Sequence, residues 1–343
     1  MPRMNSGFPF IICTALCFIL FLPLCSADPS QGDFGVSSWE FSMETGSGSQ
    51  VSVTVYYPYS MRPLVKYKIN QEAPFPVVVF SPGAGGPATD YSSILTELAS
   101  YGFVVAGASW NYDNDREKDT AHDDHTDLLD LLEEYGNDIN TPIYGLVDTD
   151  RCGAFGHSRG GRVAFMASGS DDRIDAVAAW MPTLNNASHV EQSVSKYHFG
   201  GDEDEVVPPD EWLDPLFKSC EETIAFVNVF GGNHQPEQEI HIDLTMKFFR
   251  YHLKGEESLE DELYGLGIRE RAESGEFHLR MKWHGDEYDS HPDLAPEDTK
   301  VRIDTNGGDN ETPIFGGIDA ILLVLMSLPL LFRKRNVKIR LCT

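Results

Sequence analysis

Apolar positions along this chain fall into short unbroken runs separated by stretches of helical spacing. Val77 to Phe80, Phe103 to Ser109, Arg151 to Phe155, Ala176 to Trp180 and Thr223 to Phe230 are such runs. Apolar runs of roughly four to eight residues bounded by turn residues suit strands buried on both faces. Between them, Tyr91 to Ser100, His125 to Tyr135, Gly160 to Ala167 and Ile240 to Leu253 read as helices; in the last, Ile240, Leu244, Phe248 and Tyr251 share one face. Val36 to Glu44 and Val51 to Tyr57 precede these and predict an antiparallel opening pair. Strand and helix alternation of this kind predicts an α/β fold with a mostly parallel central sheet and helices on both faces. Functional groups of such sheets gather at the carboxyl ends of the strands.

One strand-to-helix junction carries candidate chemistry. Gly156-His157-Ser158-Arg159-Gly160 fits the Gly-x-Ser-x-Gly nucleophile elbow, with an apolar strand before it and a helix after it. The turn is tight enough that only small residues fit beside Ser158, and it lifts the hydroxyl toward solvent. The five-residue pattern alone also describes ordinary glycine turns, so its weight depends on partners. An activated serine needs a base, an acid that orients the base, and donors for the oxyanion.

Those partners follow in the chain order expected of an elbow serine. Lys196 to Gly201 reads as a strand ending in glycines, and Asp202-Glu203-Asp204-Glu205-Val206-Val207-Pro208 follows it. Asp204 is the first choice for the acid and Asp202 the second; a solvated acidic turn is the plainer alternative. His234 is the base candidate, on the loop Gly231-Gly232-Asn233 after the strand Thr223 to Phe230. Imidazole titrates near neutrality, which suits general-base work. His157, His189, His198, His241 and His252 lack that setting; His157 is expected to pack below the nucleophile. Backbone N–H groups of Arg159, after the nucleophile, and Ala84, on the loop Ser81 to Gly86, are the expected oxyanion donors.

With these residues in place the chain resembles a branch of the α/β-hydrolase superfamily. The branch holds bacterial cutinases and PET hydrolases, chlorophyllases, platelet-activating-factor acetylhydrolases and dienelactone hydrolases. Phe80-Ser81-Pro82-Gly83, Asp90-Tyr91, Leu98 to Val105 and Gly156 to Gly161 carry the likeness, which covers roughly residues 34–255. It implies hydrolysis of carboxylic esters through an acyl-enzyme on Ser158, with no metal or organic cofactor. The substrate would be a small ester, a lipid or a polymer. The resemblance also implies a substrate wall at Trp180, after the elbow helix, with a core aromatic as the equal alternative there, and Met181 and Val207 are further substrate-binding candidates. Two positions depart from the polyester hydrolases: Ala84 stands where an aromatic is usual, and Arg159 where Met is common. Both count against polyester as the substrate, and Arg159 suits a negatively charged one. A serine peptidase or amidase using the same triad, and a catalytically silent binding module on a hydrolase scaffold, are the alternative functions.

Composition narrows the partners. The 343 residues carry 26 basic and 54 acidic side chains, a formal net charge of −28. Nucleic acid is not an expected partner, because phosphate binding requires a basic face. Residues 1–27 read as a signal peptide: Arg3, an apolar stretch from Phe8 to Leu24, and small residues before Asp28. The catalytic domain is expected over residues 34–255. An acidic extension and stalk over 256–313 follows, holding one strand at Phe277 to Trp283. Residues 314–343 join an apolar run, Ala320 to Phe332, to Arg333-Lys334-Arg335. A full membrane span needs about 20 apolar residues, and the basic end should stay cytoplasmic. This segment is therefore expected to anchor the chain in a membrane or to be read by a sorting enzyme, leaving the body extracellular. Cys152 and Cys220 are the two cysteines of the body; an oxidising compartment would allow a disulfide between them, but strands that far apart in order need not be adjacent, and Cys152 reads as a buried small residue. Asp113 to His125 is dense in metal-capable side chains; it reads either as a cation site or as a polar loop capping the next helix.

Overall fold

The computed structural model describes residues 32–290 except 47, 111–121, 189, 222 and 237. The expected signal peptide, the C-terminal anchor and the distal stalk lie outside the described residues, as does most of the acidic stretch from Asp113. Among the described residues, no helix is long and apolar enough to cross a membrane.

Among the described residues ten strands form one sheet: β1 (Val36–Glu44), β2 (Gln50–Pro58), β3 (Phe75–Ser81), β4 (Val104–Ala108), β5 (Val147–His157), β6 (Ile174–Trp180), β7 (Ser195–Gly201), β8 (Ile224–Val229), β9 (Phe277–Trp283) and β10 (Asp286–Asp289). Their spatial order is β1-β2-β4-β3-β5-β6-β7-β8-β9-β10. From β4 to β8 all neighbours are parallel. The pairs at both ends of the sheet are antiparallel. The parallel strands are the apolar runs of the sequence: Val77 to Phe80 and Ala176 to Trp180 are fully buried, as strands covered on both faces must be.

The helices are α1 (Pro63–Glu72), α2 (Ser92–Ser100), α3 (Asp123–Asn137), α4 (Arg159–Ala167), α5 (Leu213–Ser219), α6 (Glu239–Lys254), α7 (Glu260–Leu263) and α8 (Leu266–Glu273). α6 buries Leu244 and Phe248 of the predicted stripe together with Phe249 and Leu253, while Ile240 and Tyr251 at its edges are only half-buried. It lies close on β5: a Cβ placed on Gly153 would sit 2.6 Å from the Phe249 ring. α6 stops at Gly255, whose left-handed φ of 67° lets the chain turn away. At the start of α3, Asp123 and Asp124 occupy the first turn, but neither caps it; Asp124 instead accepts the backbone N–H of Gly46.

The sheet does not end at residue 255. Phe277 to Lys282 pairs antiparallel with the whole of β8, and Asp286–Asp289 pairs with β9 in turn. Phe277, Leu279 and Met281 are buried, while the alternate residues are half-buried. The strand expected here is present, but it extends the hydrolase sheet rather than a separate stalk. Cys152 and Cys220 are both buried free thiols; the disulfide is absent.

Four histidines, His157, His198 and His241 buried and His252 half-buried, favour the neutral ring in the fold. Burial lowers His157 and His252 to about 4, and His198 and His241 to about 3, from an ordinary value of 6.5. In each the folded state favours the neutral ring, so the unfolded chain binds more protons below pH 6.5. Their contribution is complete above pH 6.5 and is lost as pH falls toward 4 to 3. Each costs up to about 1.4 kcal/mol per pH unit in that window, and four together rival the whole stability of a domain. Denaturant midpoints measured from pH 8 to pH 4 are expected to be flat down to about 6.5 and then to fall steeply. A flat profile to pH 5 contradicts these values.

Candidate active site

The elbow sits between β5 and α4. Ser158 adopts φ 55° and ψ −118°, a conformation L residues rarely hold. It is held there by its own N–H, which donates to Trp180 O at 2.8 Å, and by Thr183 N–H, which donates to Ser158 O at 3.1 Å. The flanking glycines are dictated by space. A Cβ on Gly156 would lie 2.2 Å from Gly160 O, and one on Gly160 would lie 2.0 Å from Ser81 O. The second approach presses the first turn of α4 against the loop after β3.

Three side chains from different strand ends meet at this rim. Ser158 follows β5, Asp204 follows β7 and His234 follows β8. His234 Nε2 lies 3.1 Å from Ser158 Oγ, and His234 Nδ1 lies 2.7 Å from Asp204 Oδ2. The other oxygen of Asp204 accepts the N–H groups of Val206 and Val207, each at 2.8 Å. Burial pushes the Asp204 carboxyl up. The hydrogen bond from His234 and the two backbone donors outweigh that, and hold it below the usual carboxylate range. An ionised Asp204 accepts only, so Nδ1 of His234 carries the proton and Nε2 is free to take one from Ser158. The His234 side chain remains 19% exposed over a fully buried Asp204, so a substrate can reach the serine side of the ring.

Of the two carboxylates weighed for the acid, Asp202 turns away and accepts the N–H of Gly231. His198 and His241 are buried in the core; His198 stacks on Phe226 at 4.6 Å. Arg159 opens α4, which puts its N–H at the positive end of the helix beside Ser158. Ala84 is exposed on the loop that Gly160 touches, one residue beyond Gly83.

The three substrate-wall residues are placed elsewhere. Trp180, Met181 and Val207 are all fully buried. The Trp180 indole N–H donates to Thr245 Oγ1 at 2.9 Å, and its ring meets Phe155 edge-on at 4.9 Å. It faces α6 beneath the sheet rather than the substrate side. Met181, at φ 43°, and Val207, the N–H partner of Asp204, support the loops that carry the site. None of the three lines a surface that an ester could touch.

A family model described as "PET hydrolase-like" matches residues 24–252, two thirds of the chain. The chain belongs to the PET hydrolase-like family. That family lies among the α/β-hydrolases and consists of carboxylic ester hydrolases. Individual relatives are distant. Over 205 residues the chain is 24% identical to cutinase 2 of Thermobifida cellulosilytica, covering 59% of this chain and 72% of that one. It is 24% identical to cutinase cut1 of Thermobifida fusca, covering 59% of each. It is 25% identical over 183 residues to a bis(hydroxyethyl) terephthalate hydrolase of Streptomyces coelicolor, covering 53% of this chain and 54% of that one. For two of these three relatives, then, the chain spans little more than half of their length.

This PET hydrolase-like chain also holds groups at the rim that the sequence patterns did not assign. The Tyr91 hydroxyl lies 2.7 Å from His157 Nδ1 and accepts the N–H of Gly83 at 3.2 Å. Ser81 Oγ accepts the Trp110 indole N–H at 2.6 Å and lies 3.1 Å from His125 Nε2, all of it buried. Both sets brace the loop that leads to Ala84. Asp90-Tyr91 stands out in the sequence only as part of a likeness; its partner is 66 residues away. Among the described residues, no group of three or more metal-capable side chains gathers.

Proposed function

We propose that the chain is an extracellular serine hydrolase that cleaves carboxylic esters, polyester or lipid esters among them, through an acyl-enzyme on Ser158. The observation that carries this reading is the continuous line from Ser158 Oγ through His234 to Asp204, at 3.1 and 2.7 Å. In the first half-reaction His234 Nε2 accepts the Ser158 proton as Oγ bonds to the carbonyl carbon. Asp204 stabilises the imidazolium that results. The carbonyl oxygen, now an anion, is held by the N–H groups of Ala84 and Arg159. The C–O bond to the alcohol breaks as His234 returns its proton to the leaving oxygen. Water then enters, gives its proton to His234 and releases the acid from Ser158 by the same steps.

The relatives include cutinases and a terephthalate ester hydrolase, which favours esters over amides and admits a polymer as substrate. Ala84 takes the place of an aromatic at the rim and leaves the mouth of the site less apolar. That favours short or flexible acyl chains over aromatic polymers. The apolar segment from Phe8 to Leu24 supports export, and the apolar segment before Arg333-Lys334-Arg335 supports retention at the surface by a membrane tail or through a sorting enzyme.

Parallel assays of p-nitrophenyl esters from acetate to decanoate and of matching anilides test the reading. Turnover of the short esters at least a hundred-fold above the anilides is expected. Anilide cleavage at rates equal to the esters would replace it with an amidase.

A further inference from the structure

We propose that Tyr91 is a positioning residue for ester hydrolysis: its hydroxyl ties the loop bearing the Ala84 oxyanion donor to the histidine beside the nucleophile. This rests on the esterase reading above and adds a residue to it. The hydroxyl has two partners, Gly83 N–H at 3.2 Å and His157 Nδ1 at 2.7 Å. Tyr91 and His157 are 8% and 6% exposed, so water does not substitute for either bond. Phe80 packs against the phenol ring at 4.8 Å and keeps it in place.

Proton accounting gives the link a direction. The phenol oxygen accepts from Gly83, so its own proton has one buried acceptor within reach, His157 Nδ1. His157 then carries its proton on Nε2. That nitrogen is buried and meets no partner at bonding geometry among the described residues. The His157 and His234 rings lie 5.0 Å apart. One phenol thus connects the loop before Ala84 to a ring packed on the base. Gly83 is part of the same fit: a Cβ there would lie 2.9 Å from His157 Nδ1 and 3.3 Å from the Tyr91 hydroxyl. A donated hydrogen bond at Nδ1 also opposes protonation of His157. The groups that face His157 are Tyr91, His234, Asp204 and His241; of these, His234 alone is placed to take the Ser158 proton.

A donor held a few tenths of an ångström out of place weakens the transition state more than the ground state, because the oxyanion forms only there. Tyr91→Phe keeps the ring packing and removes the two hydrogen bonds. In the full-length protein, kcat for p-nitrophenyl butyrate is expected to fall about ten-fold with KM within two-fold. The rate of phosphonylation by a fluorophosphonate, which forms a like oxyanion, should fall in step, and the melting temperature should stay within a few degrees. In a His157→Leu background, part of the Tyr91→Phe effect should vanish, since the pair acts together. A kcat within two-fold of wild type overturns the proposal, as does a loss that merely follows the fraction unfolded. Wild-type turnover measured alongside separates the two readings: an inactive wild type overturns the esterase assignment itself, whereas an active wild type matched by Tyr91→Phe overturns only the role of Tyr91.

Discussion

Ser158→Ala is expected to lower ester turnover by on the order of a million-fold while leaving the melting temperature within a few degrees of wild type. The size follows from how the three side chains act. Removing the nucleophile leaves His234 with nothing to activate but water, and the residual rate comes from the oxyanion donors and substrate binding alone. The stability side follows from local geometry. Alanine keeps the Cβ, and with it the same strain at φ 55°. The backbone bonds from Ser158 N–H to Trp180 O and from Thr183 N–H to Ser158 O do not involve the hydroxyl. Circular dichroism melts beside p-nitrophenyl butyrate kinetics check both halves. Turnover within ten-fold of wild type would remove Ser158 from the chemistry.

Asp204→Asn is expected to cost about ten-thousand-fold in kcat. The amide oxygen can keep the two N–H bonds from Val206 and Val207, so the loop should hold. The amide nitrogen then faces His234 Nδ1 as a donor where a carboxylate accepted at 2.7 Å. His234 is forced into the tautomer with its proton on Nε2, and that nitrogen can no longer accept from Ser158. The imidazolium of the transition state also loses its counter-charge. Because the fault lies in the tautomer and not in binding, KM should change little. An Asp202→Asn control, at the carboxylate bonded to Gly231, should keep near wild-type rates. Equal losses in the two variants would mean that neither carboxylate orients the base.

The parts of the site that local patterns govern were legible in the chain. A Gly-x-Ser-x-Gly turn needs small residues within two positions of the serine, and the contacts of Gly156 and Gly160 show why. A loop following the last parallel strand singles out His234 among the histidines, and the fold brings that strand end beside Ser158. Trp180 was the opposite case. Its place at the end of β6 is right, but strand side chains alternate in direction, and one residue of register decides between substrate and core. Here the indole points at Thr245 on α6. Phe277 to Trp283 is legible as a strand, yet its pairing with β8 is not, because the intervening helices α7 and α8 are short and bury only Leu263, Ile268 and Ala272. The Tyr91 to His157 link escaped for a similar reason: a hydrogen bond across 66 residues leaves no spacing to read.

A fluorophosphonate probe followed by peptide mapping addresses the central claim most directly, since it reports an activated serine without assuming a substrate. One equivalent of label on the peptide carrying Ser158 is expected in folded protein, at a rate that collapses in His234→Ala and is absent after unfolding. Label on any other serine, or ester turnover by protein whose Ser158 stays unmodified, would contradict the account.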